Sequence, residues 1–137
     1  MRRTRSSDAP CSFPQSARVK RRADFLRTLR RGARAADGVL LMRALPNDRA
    51  RTRLGLIVAR AHGNAVARNR IKRMLRESFR LCRCELPKGL DLICTPARRV
   101  PTDIELQSAI QSMLRLTRKL ARRLARDGSD GGYNAGS

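Results

Sequence analysis

Apolar residues recur along the chain with two different periods, which predicts a mixture of strands and helices. Over Arg53–Arg60 both alternating faces are apolar, and this predicts a central strand buried on at least one side. Elsewhere, spacings of three and four residues predict amphipathic helices. The predicted elements are a helix over 22–31, strands over 39–45 and 53–60, a helix over 64–83, a strand over 90–95 and a long helix ending near 126.

Local signals mark the ends of several elements. Gly32 stands where a C-cap glycine belongs, and Asn64 is a suitable N-cap for the helix over 64–83. Thr102-Asp103-Ile104-Glu105 has the pattern of a capping box, which predicts the start of the last helix. These signals agree with the apolar spacing and support the same order of elements.

The two ends of the chain differ in composition from the part between them. Residues 1–17 form a basic arm and residues 127–137 a Gly/Ser-rich tail, and both are expected to be disordered. Residues 18–126 are expected to form one domain. Its predicted class is α+β, with helices covering one face of a small mixed sheet and the other face or an edge cleft left open.

The helix over 64–83 separates an apolar side from a charged side. At about 100° per residue, the apolar side contains Ile71, Met74, Leu75, Ser78, Phe79 and Cys82. The opposite side contains Asn69, Lys72, Arg73, Arg76, Arg80 and Arg83. Arg70 lies on a flank, and Arg68 lies at the edge of the apolar stripe with its head expected to reach outward. Helix faces that only contact solvent usually carry both positive and negative side chains, which pair with each other. Here Glu77 is the only acidic residue that could pair with a cation, so the pattern favours an anionic partner.

The overall charge points to the same kind of partner. The 137 residues contain 32 Lys and Arg against 11 Asp and Glu, a formal net charge of +21 with a sequence pI of about 11.8. Self-repulsion at this charge destabilises a compact chain, so a polyanion is the economical explanation, nucleic acid first and an anionic membrane second. The excess of Arg over Lys favours phosphate, which a planar guanidinium binds through two hydrogen bonds.

The remaining chemistry-bearing residues do not form a recognisable active site. Cys11, Cys82, Cys84 and Cys94 have neither disulfide-framework nor structural-zinc spacing, and they favour a reducing, cytoplasmic compartment. His62, alone in a turn, is interpreted as incidental. There are no paired carboxylates and no Ser/His/Asp set, so no catalytic or metal-binding residue is predicted.

The helix and the strand before it carry a specific resemblance. Arg53-Leu54-Gly55-Leu56-Ile57-Val58-Ala59-Arg60, followed by Gly63-Asn64-Ala65-Val66 and Arg68-Asn69-Arg70-Ile71-Lys72-Arg73, closely resembles the protein subunit of bacterial ribonuclease P. The resemblance covers about residues 18–116. It implies a ribosomal protein S5 domain 2-like fold with a left-handed βαβ crossover, a catalytic RNA partner that uses Mg²⁺, and precursor tRNA as substrate. No membrane partner is expected, because no run of eighteen apolar residues occurs and the apolar side of the helix over 64–83 is needed for the core. No obligate protein partner is predicted. The alternative is a ribosomal or other RNA-binding protein without a processing role.

The resemblance also implies roles for individual residues. The expected contacts to the catalytic RNA subunit are Arg68, Asn69, Arg70, Lys72, Arg73 and Arg76. The expected lining of a cleft for the single-stranded 5′ leader is Arg18, Lys20, Phe25 and Arg60. From the sequence alone, Phe25 is compatible both with core packing and with stacking on a base. Leu29 and Ala61 stand where the family usually has an aromatic residue and a lysine, so leader binding is expected to rely more on charge.

Overall fold

The computed structural model describes residues 17–97 and 105–129, which form a four-stranded sheet with helices on both faces. The helices are α1 (Arg22–Arg31), α2 (Ala65–Cys82) and α3 (Leu106–Ser129). The strands are β1 (Ala33–Ala36), β2 (Leu40–Pro46), β3 (Arg53–Leu56) and β4 (Leu90–Pro96). The predicted arm up to residue 16, the start of the capping box at Thr102 and the tail from residue 130 lie outside the described residues. Within them, the predicted α+β class with a mixed sheet is confirmed.

The strand order is β1-β2-β4-β3, with β2 antiparallel to both β1 and β4, and β3 parallel to β4. The prediction of a central strand at 53–60 is wrong, because β3 is at the edge of the sheet and ends at Leu56. Its outer edge is partly covered by the chain before α1, where the Val19 amide donates to the Leu54 carbonyl at 3.0 Å. The chain then turns at Arg60–His62. Helices cover both faces of the sheet, so Leu54 and Gly55 are both buried although they point to opposite faces.

The main core lies between one face of the sheet and the pair α2 and α3. Met42 and Cys94 are paired in the sheet and point into this core with Leu75, Phe79 and Met113, all fully buried. Cys82 and Cys94 are buried small apolar side chains, as predicted, and burial raises the pKa of both thiols. The apolar side of the helix over 64–83 is therefore used for the core.

Helix α1 lies on the opposite face, which corrects the expectation that helices cover one face only. A Cβ added at Gly55 would come within 2.8 Å of the Phe25 ring and 2.9 Å of Ile93 Cδ1, so this side of β3 faces α1. Gly32 ends α1 as predicted, but with extended backbone (φ −69°) and not in the left-handed conformation. A Cβ there would meet the Thr28 carbonyl oxygen at 2.5 Å. Close approach, and not backbone conformation, therefore favours glycine at this position.

The described structure departs from the predicted elements at two further points. Strand β1, Ala33–Ala36, was not predicted, because its short alanine-rich sequence has no alternation of large apolar residues. Helix α3 continues to Ser129, and Ala17 is fully buried in the core, so ordered structure reaches slightly into both predicted tails. Helices α1 and α2 and strands β2 and β4 agree with their predictions to within one residue at each end.

Candidate nucleic-acid interface

Helix α2 begins at a well-formed cap and buries its apolar side. The Asn64 side chain accepts a hydrogen bond from the Ala67 amide at 2.9 Å, which satisfies one of the free amides of the first turn. The buried residues of α2 are Ile71, Leu75, Ser78, Phe79 and Cys82, as the helical spacing predicts. Because this stripe is packed against the core, it offers no surface for insertion into a membrane. No helix in the described part of the chain is long and apolar enough to span a bilayer.

Four cations of α2, namely Arg70, Lys72, Arg73 and Arg76, have no ion pair with a described acidic residue. We define the basic face as Asn69, Arg70, Lys72, Arg73 and Arg76; Lys72 is half-buried and the others are exposed. No described residue forms an ion pair or side-chain hydrogen bond with the four cations of this face. The one acidic residue of α2, Glu77, binds Arg80 instead, through contacts of 3.0 and 2.6 Å. The basic face is thus available to a polyanion.

Arg68 differs from the other predicted RNA-binding residues of this helix. Its Nε donates a hydrogen bond to the Gly63 carbonyl at 3.1 Å, and the side chain is half-buried. The guanidinium therefore ties the first turn of α2 to the loop before it. Its position at the edge of the apolar stripe agrees with the sequence-based expectation.

His62 also stabilises the loop before α2, through hydrogen bonds to backbone groups. It is buried, its Nδ1 accepts from the Ala59 amide at 3.1 Å, and its Nε2 lies 3.2 Å from the Pro96 carbonyl oxygen, to which it donates. These two bonds define a neutral ring protonated on Nε2. His62 therefore fastens the turn to the end of β4 and is neither incidental nor placed for proton transfer to a substrate. Nothing in the local sequence signals this role, because its partners are backbone groups.

A cleft of about 220 Å³ lies between α1, β3 and α2. It is lined by Arg18, Val19, Lys20, Phe25, Leu54, Gly55, Leu56, Lys72 and Arg76. The structure thus brings together three of the four residues predicted to line a leader cleft. It also places Lys72 and Arg76 of the basic face on the wall of the same cleft. Arg60 is exposed in the turn after β3 and does not line the cleft.

Phe25 forms an apolar wall of this cleft. Its ring lies against Gly55, where only the absence of a Cβ permits this approach, and beside Ile93 of β4. The ring is half-buried, so one part packs on the sheet while another part borders the cleft. Leu29, one turn further along α1, does not line the cleft. Phe25 therefore packs on the sheet and also borders the cleft, and stacking of a base on its ring stays a prediction.

A buried ionic network fixes α1 over the sheet and so fixes Phe25. Arg53 donates to both carboxylate oxygens of Asp91 at 2.7 Å and to Asp24 of α1 at 3.3 Å. Asn47 adds a 2.9 Å hydrogen bond to Asp91. The side chains of Arg53 and Asp91 are 8% and 2% exposed, and the Asp91 hydrogen bond is the main reason that the pKa of Arg53 is raised. Such a bidentate pair is geometrically demanding and therefore orients the helix.

The described carboxylates do not provide a metal site of this chain's own. Asp24 and Asp91 are bound to Arg53, and no group of three or more His, Cys, Asp or Glu side chains in the described residues is arranged to hold an ion. Cys84 is exposed, whereas Cys82 and Cys94 are buried. The site therefore combines cations, one aromatic ring and a narrow cleft, which suits a phosphate-bearing strand.

The fold and this interface define a class of protein: a small, strongly basic α+β nucleic-acid-binding domain with a cationic helix beside a narrow cleft. Comparisons with known proteins narrow the class to one family. The sequence model of the ribonuclease P family matches residues 13–123. The ribonuclease P protein component of Oleidesulfovibrio alaskensis is 39% identical over 118 residues, covering 84% of this chain and 94% of that protein. That of Pelotomaculum thermopropionicum is 39% identical over 100 residues, covering 73% and 88%.

Solved structures agree with the sequence comparison. The RNase P protein from Thermotoga maritima matches with a TM-score of 0.68 at 27% identity, covering 74% of this chain and 96% of that one. The RNase P protein of Staphylococcus aureus matches with a TM-score of 0.65 at 29% identity, covering 77% and 95%. The chain belongs to the ribonuclease P protein family. Its role is that of the protein subunit of this tRNA-processing ribonucleoprotein, and the alternative of an RNA-binding protein without a processing role is not supported.

Proposed function

We propose that this chain binds two RNAs on adjoining surfaces, the catalytic RNA subunit on the basic face of α2 and the 5′ leader of precursor tRNA in the cleft. The observation that carries the proposal is that the two surfaces share residues. Lys72 and Arg76 belong to the basic face and also line the cleft with Phe25. A leader held in the cleft would therefore lie beside the RNA that cleaves it. The enzyme then acts in the cytoplasm on newly made precursor tRNA.

The basic face divides into two parts with different expected contacts. Lys72 and Arg76 border the cleft, whereas Arg70 and Arg73 are exposed and do not line it. We assign Asn69, Arg70 and Arg73 to the catalytic RNA alone. Lys72 and Arg76 are positioned between the two RNAs, where closely spaced phosphates of different strands need counter-charge. Arg68 would support the same surface by fixing the first turn of α2.

In this proposal the cleft discriminates precursor from mature tRNA by binding a segment that only the precursor has. Arg18 and Lys20 supply charge for the leader phosphates, and Phe25 supplies a flat apolar surface for a base or sugar. Arg60 lies outside the cleft lining, so its contribution would be a longer-range one. No sequence-specific reading is implied, because phosphate and stacking contacts tolerate every base.

The bond-breaking chemistry is assigned to the RNA subunit. Mg²⁺ bound by RNA would activate water and stabilise the charge that develops on the cleaved phosphate. The residues that line the cleft do not fit a magnesium site, since they include the cations Arg18, Lys20, Lys72 and Arg76 and no carboxylate. The protein's part is to position the substrate and to offset the repulsion between two RNA backbones.

Reconstitution tests this function. Catalytic RNA and precursor tRNA are combined at a Mg²⁺ concentration that limits the RNA alone, with and without this protein. The expected result is faster 5′-end cleavage with the protein, and a smaller difference as Mg²⁺ is raised, because both supply counter-charge. A cleavage rate that the protein leaves unchanged at every Mg²⁺ concentration would sink the proposal.

A further inference from the structure

A second pocket lies where α2 ends and the chain turns into β4. Its volume is about 430 Å³, against about 220 Å³ for the cleft, and the two share no lining residue. One wall is formed by residues 50–52, in the loop between β2 and β3, and the other by residues 83–84 and 86–88, which follow α2. We name it the loop pocket. A concave space of this size is typical of sites for small ligands.

Hydrogen bonds hold the two walls of the loop pocket together. The buried Thr52 hydroxyl donates to the Pro87 carbonyl at 2.6 Å and accepts from the Leu90 amide at 3.2 Å. On the first wall, the Asn47 side chain donates to the carbonyl of Arg51 at 3.1 Å and, at 2.9 Å, to the carboxylate of the buried ionic network. The pocket is therefore a fixed part of the fold, and its loops do not have to become ordered when a ligand binds.

Cations line the loop pocket from three separate segments. Arg51 comes from the loop before β3, Arg83 from the end of α2 and Lys88 from the loop before β4. No Asp or Glu is among the described residues that line it. The dipole of α2 accounts for a cation at its C-terminal end, as at Arg83, but not for Arg51 and Lys88. This lining favours a ligand with more than one negative charge.

The rest of the lining is mainly apolar. Ala50, Leu86 and Pro87 contribute carbon surface, and Cys84 adds an exposed thiol. A base or a ribose can pack on such a surface, whereas inorganic phosphate would leave it unused. Guanidinium and ammonium groups bind phosphate oxygens through charge-assisted hydrogen bonds. The lining as a whole therefore suits a phosphorylated nucleotide.

We propose that the loop pocket binds one nucleotide, with its phosphate groups at Arg51, Arg83 and Lys88 and its base or ribose on the apolar part. Two sources carry this chemistry, a free nucleotide and a nucleotide within an RNA chain, and experiment can separate them. Arg83 lies ten residues beyond Arg73 of the basic face, about 15 Å along the helix axis. A nucleotide bound here leaves the basic face and the cleft accessible, so the inference goes beyond the proposed function and does not depend on it.

The Cys84 thiol can report whether the loop pocket is occupied. In the variant Cys11→Ser, the full chain keeps the exposed thiol of Cys84 and the buried thiols of Cys82 and Cys94. Uncharged iodoacetamide is added at constant ionic strength, and the alkylation of each cysteine is followed by mass spectrometry. A bound nucleotide should slow the alkylation of Cys84, because it covers the thiol and because a nearby anion disfavours the reactive thiolate. Alkylation of Cys82 requires local opening, so Cys82 shows whether a ligand only stabilises the fold.

Two sets of probes separate the sources. The first set is inorganic pyrophosphate and the four ribonucleoside triphosphates, and the second is the catalytic RNA and precursor tRNA. If the source is a free nucleotide, a triphosphate should protect Cys84 at lower concentration than pyrophosphate does, because only the nucleotide uses the apolar surface. If the source is RNA, saturating catalytic RNA or precursor tRNA should protect Cys84 and the triphosphates should not.

Three further variants, each made in the Cys11→Ser chain, test the pocket itself. Arg51→Gln/Lys88→Gln should raise the concentration of free nucleotide needed for half protection by about tenfold for each lost charge-assisted contact, or about a hundredfold in total. With RNA, the same variant should lose protection even when the RNA is saturating. Ala50→Leu keeps every charge but fills part of the pocket, so it should also weaken protection, and it decides the matter if the charge variant does not fold. Lys119→Gln/Arg122→Gln removes the same charge from exposed positions of α3 and should behave as wild type.

Several results would overturn the inference. Absence of protection by either set of probes is one, and protection that persists in Ala50→Leu and in the charge variant is another. Equal loss of protection in Lys119→Gln/Arg122→Gln would show attraction to the net charge and not binding in a pocket. Equal slowing at Cys84 and Cys82 would show that the ligand only stabilises the fold. None of these results depends on cleavage or on the preference for precursor tRNA, so the proposed function stands or falls separately.

Discussion

Removing two cations from the part of the basic face that lies outside the cleft should weaken binding of the catalytic RNA and make it less sensitive to salt. The change is Arg70→Gln/Arg73→Gln. Both side chains are exposed, neither is paired with a described residue, and neither packs in the core, so the fold should be unaffected. The substitution removes charge from the surface assigned to the catalytic RNA and leaves the cleft lining unchanged.

The magnitude follows from counter-ion release. Each phosphate contact contributes about 0.9 to the slope of log affinity against log salt for a duplex. The loss of two contacts reduces this slope by about 1.8. When salt is raised fourfold, the affinity of the variant therefore falls by a factor about twelve times smaller than the factor for wild type. At low salt the variant should therefore bind clearly more weakly, and the two proteins should converge as salt is raised.

The assay is equilibrium binding of labelled catalytic RNA, without substrate, between 50 and 200 mM monovalent salt. The variant Lys119→Gln/Arg122→Gln serves as control because it changes net charge equally at the other side of the molecule. The control should keep nearly the wild-type slope, since exposed charges act over about one Debye length. If Arg70→Gln/Arg73→Gln and the control share one slope, the basic face is not the contact surface and the reasoning is refuted.

Three other outcomes are expected. If a base stacks on the Phe25 ring, Phe25→Ala should reduce the preference of the holoenzyme for precursor over mature tRNA by about 1–3 kcal/mol and leave the affinity for the catalytic RNA unchanged. A change in the affinity for the catalytic RNA alone would contradict the assignment of Phe25 to the leader cleft. Arg53→Met should lower the free energy of unfolding in urea by about 3–5 kcal/mol, since Asp91 stays buried without its partner; a cost below about 1 kcal/mol would show that the network does not fix α1. Asp37→Asn should cost its full stability above about pH 4 and progressively less as the pH falls towards 2, as follows from the lowered pKa of Asp37.

The sign of the Asp37 effect follows from its surroundings. Burial acts to raise the pKa of this carboxyl, but hydrogen bonds from the Leu40 and Val39 amides, Arg115 and Ser112 outweigh it and lower the pKa from 3.8 to about 2. A lowered pKa adds stability above the unfolded value, and this stability is lost as pH falls towards 2. The difference between wild type and Asp37→Asn should be about 2 kcal/mol near neutral pH and should vanish near pH 2. A difference that stays constant with pH would contradict this account.

The sequence predicts the helices well because their signals are local. The faces of α2 follow from a 100° rotation per residue, and Asn64 caps the helix as its position indicates. The edge position of β3 could not be predicted, because it depends on which distant strand pairs with it. β1 was missed for a related reason, since a short run of small residues becomes a strand only by pairing with β2.

The candidate site likewise has features that local sequence predicts and features that depend on how distant elements pack. The cations of α2 were predicted as one group, but their separation into cleft and outer positions depends on where α1 and β3 lie relative to α2. Arg53 and Asp91 carried a usable signal: each is a charged residue in a strand that is otherwise apolar, which is typical of a buried ion pair. His62 carried none.

The measurement that tests the central claim most directly is the ratio of affinities for precursor and mature tRNA. It is determined for the catalytic RNA alone and for the holoenzyme formed with this protein, at the same salt and Mg²⁺. If the cleft holds the leader, the protein raises this ratio, and leaderless substrate abolishes the increase. A ratio that is the same with and without the protein would contradict the account, whatever the effect on cleavage rate.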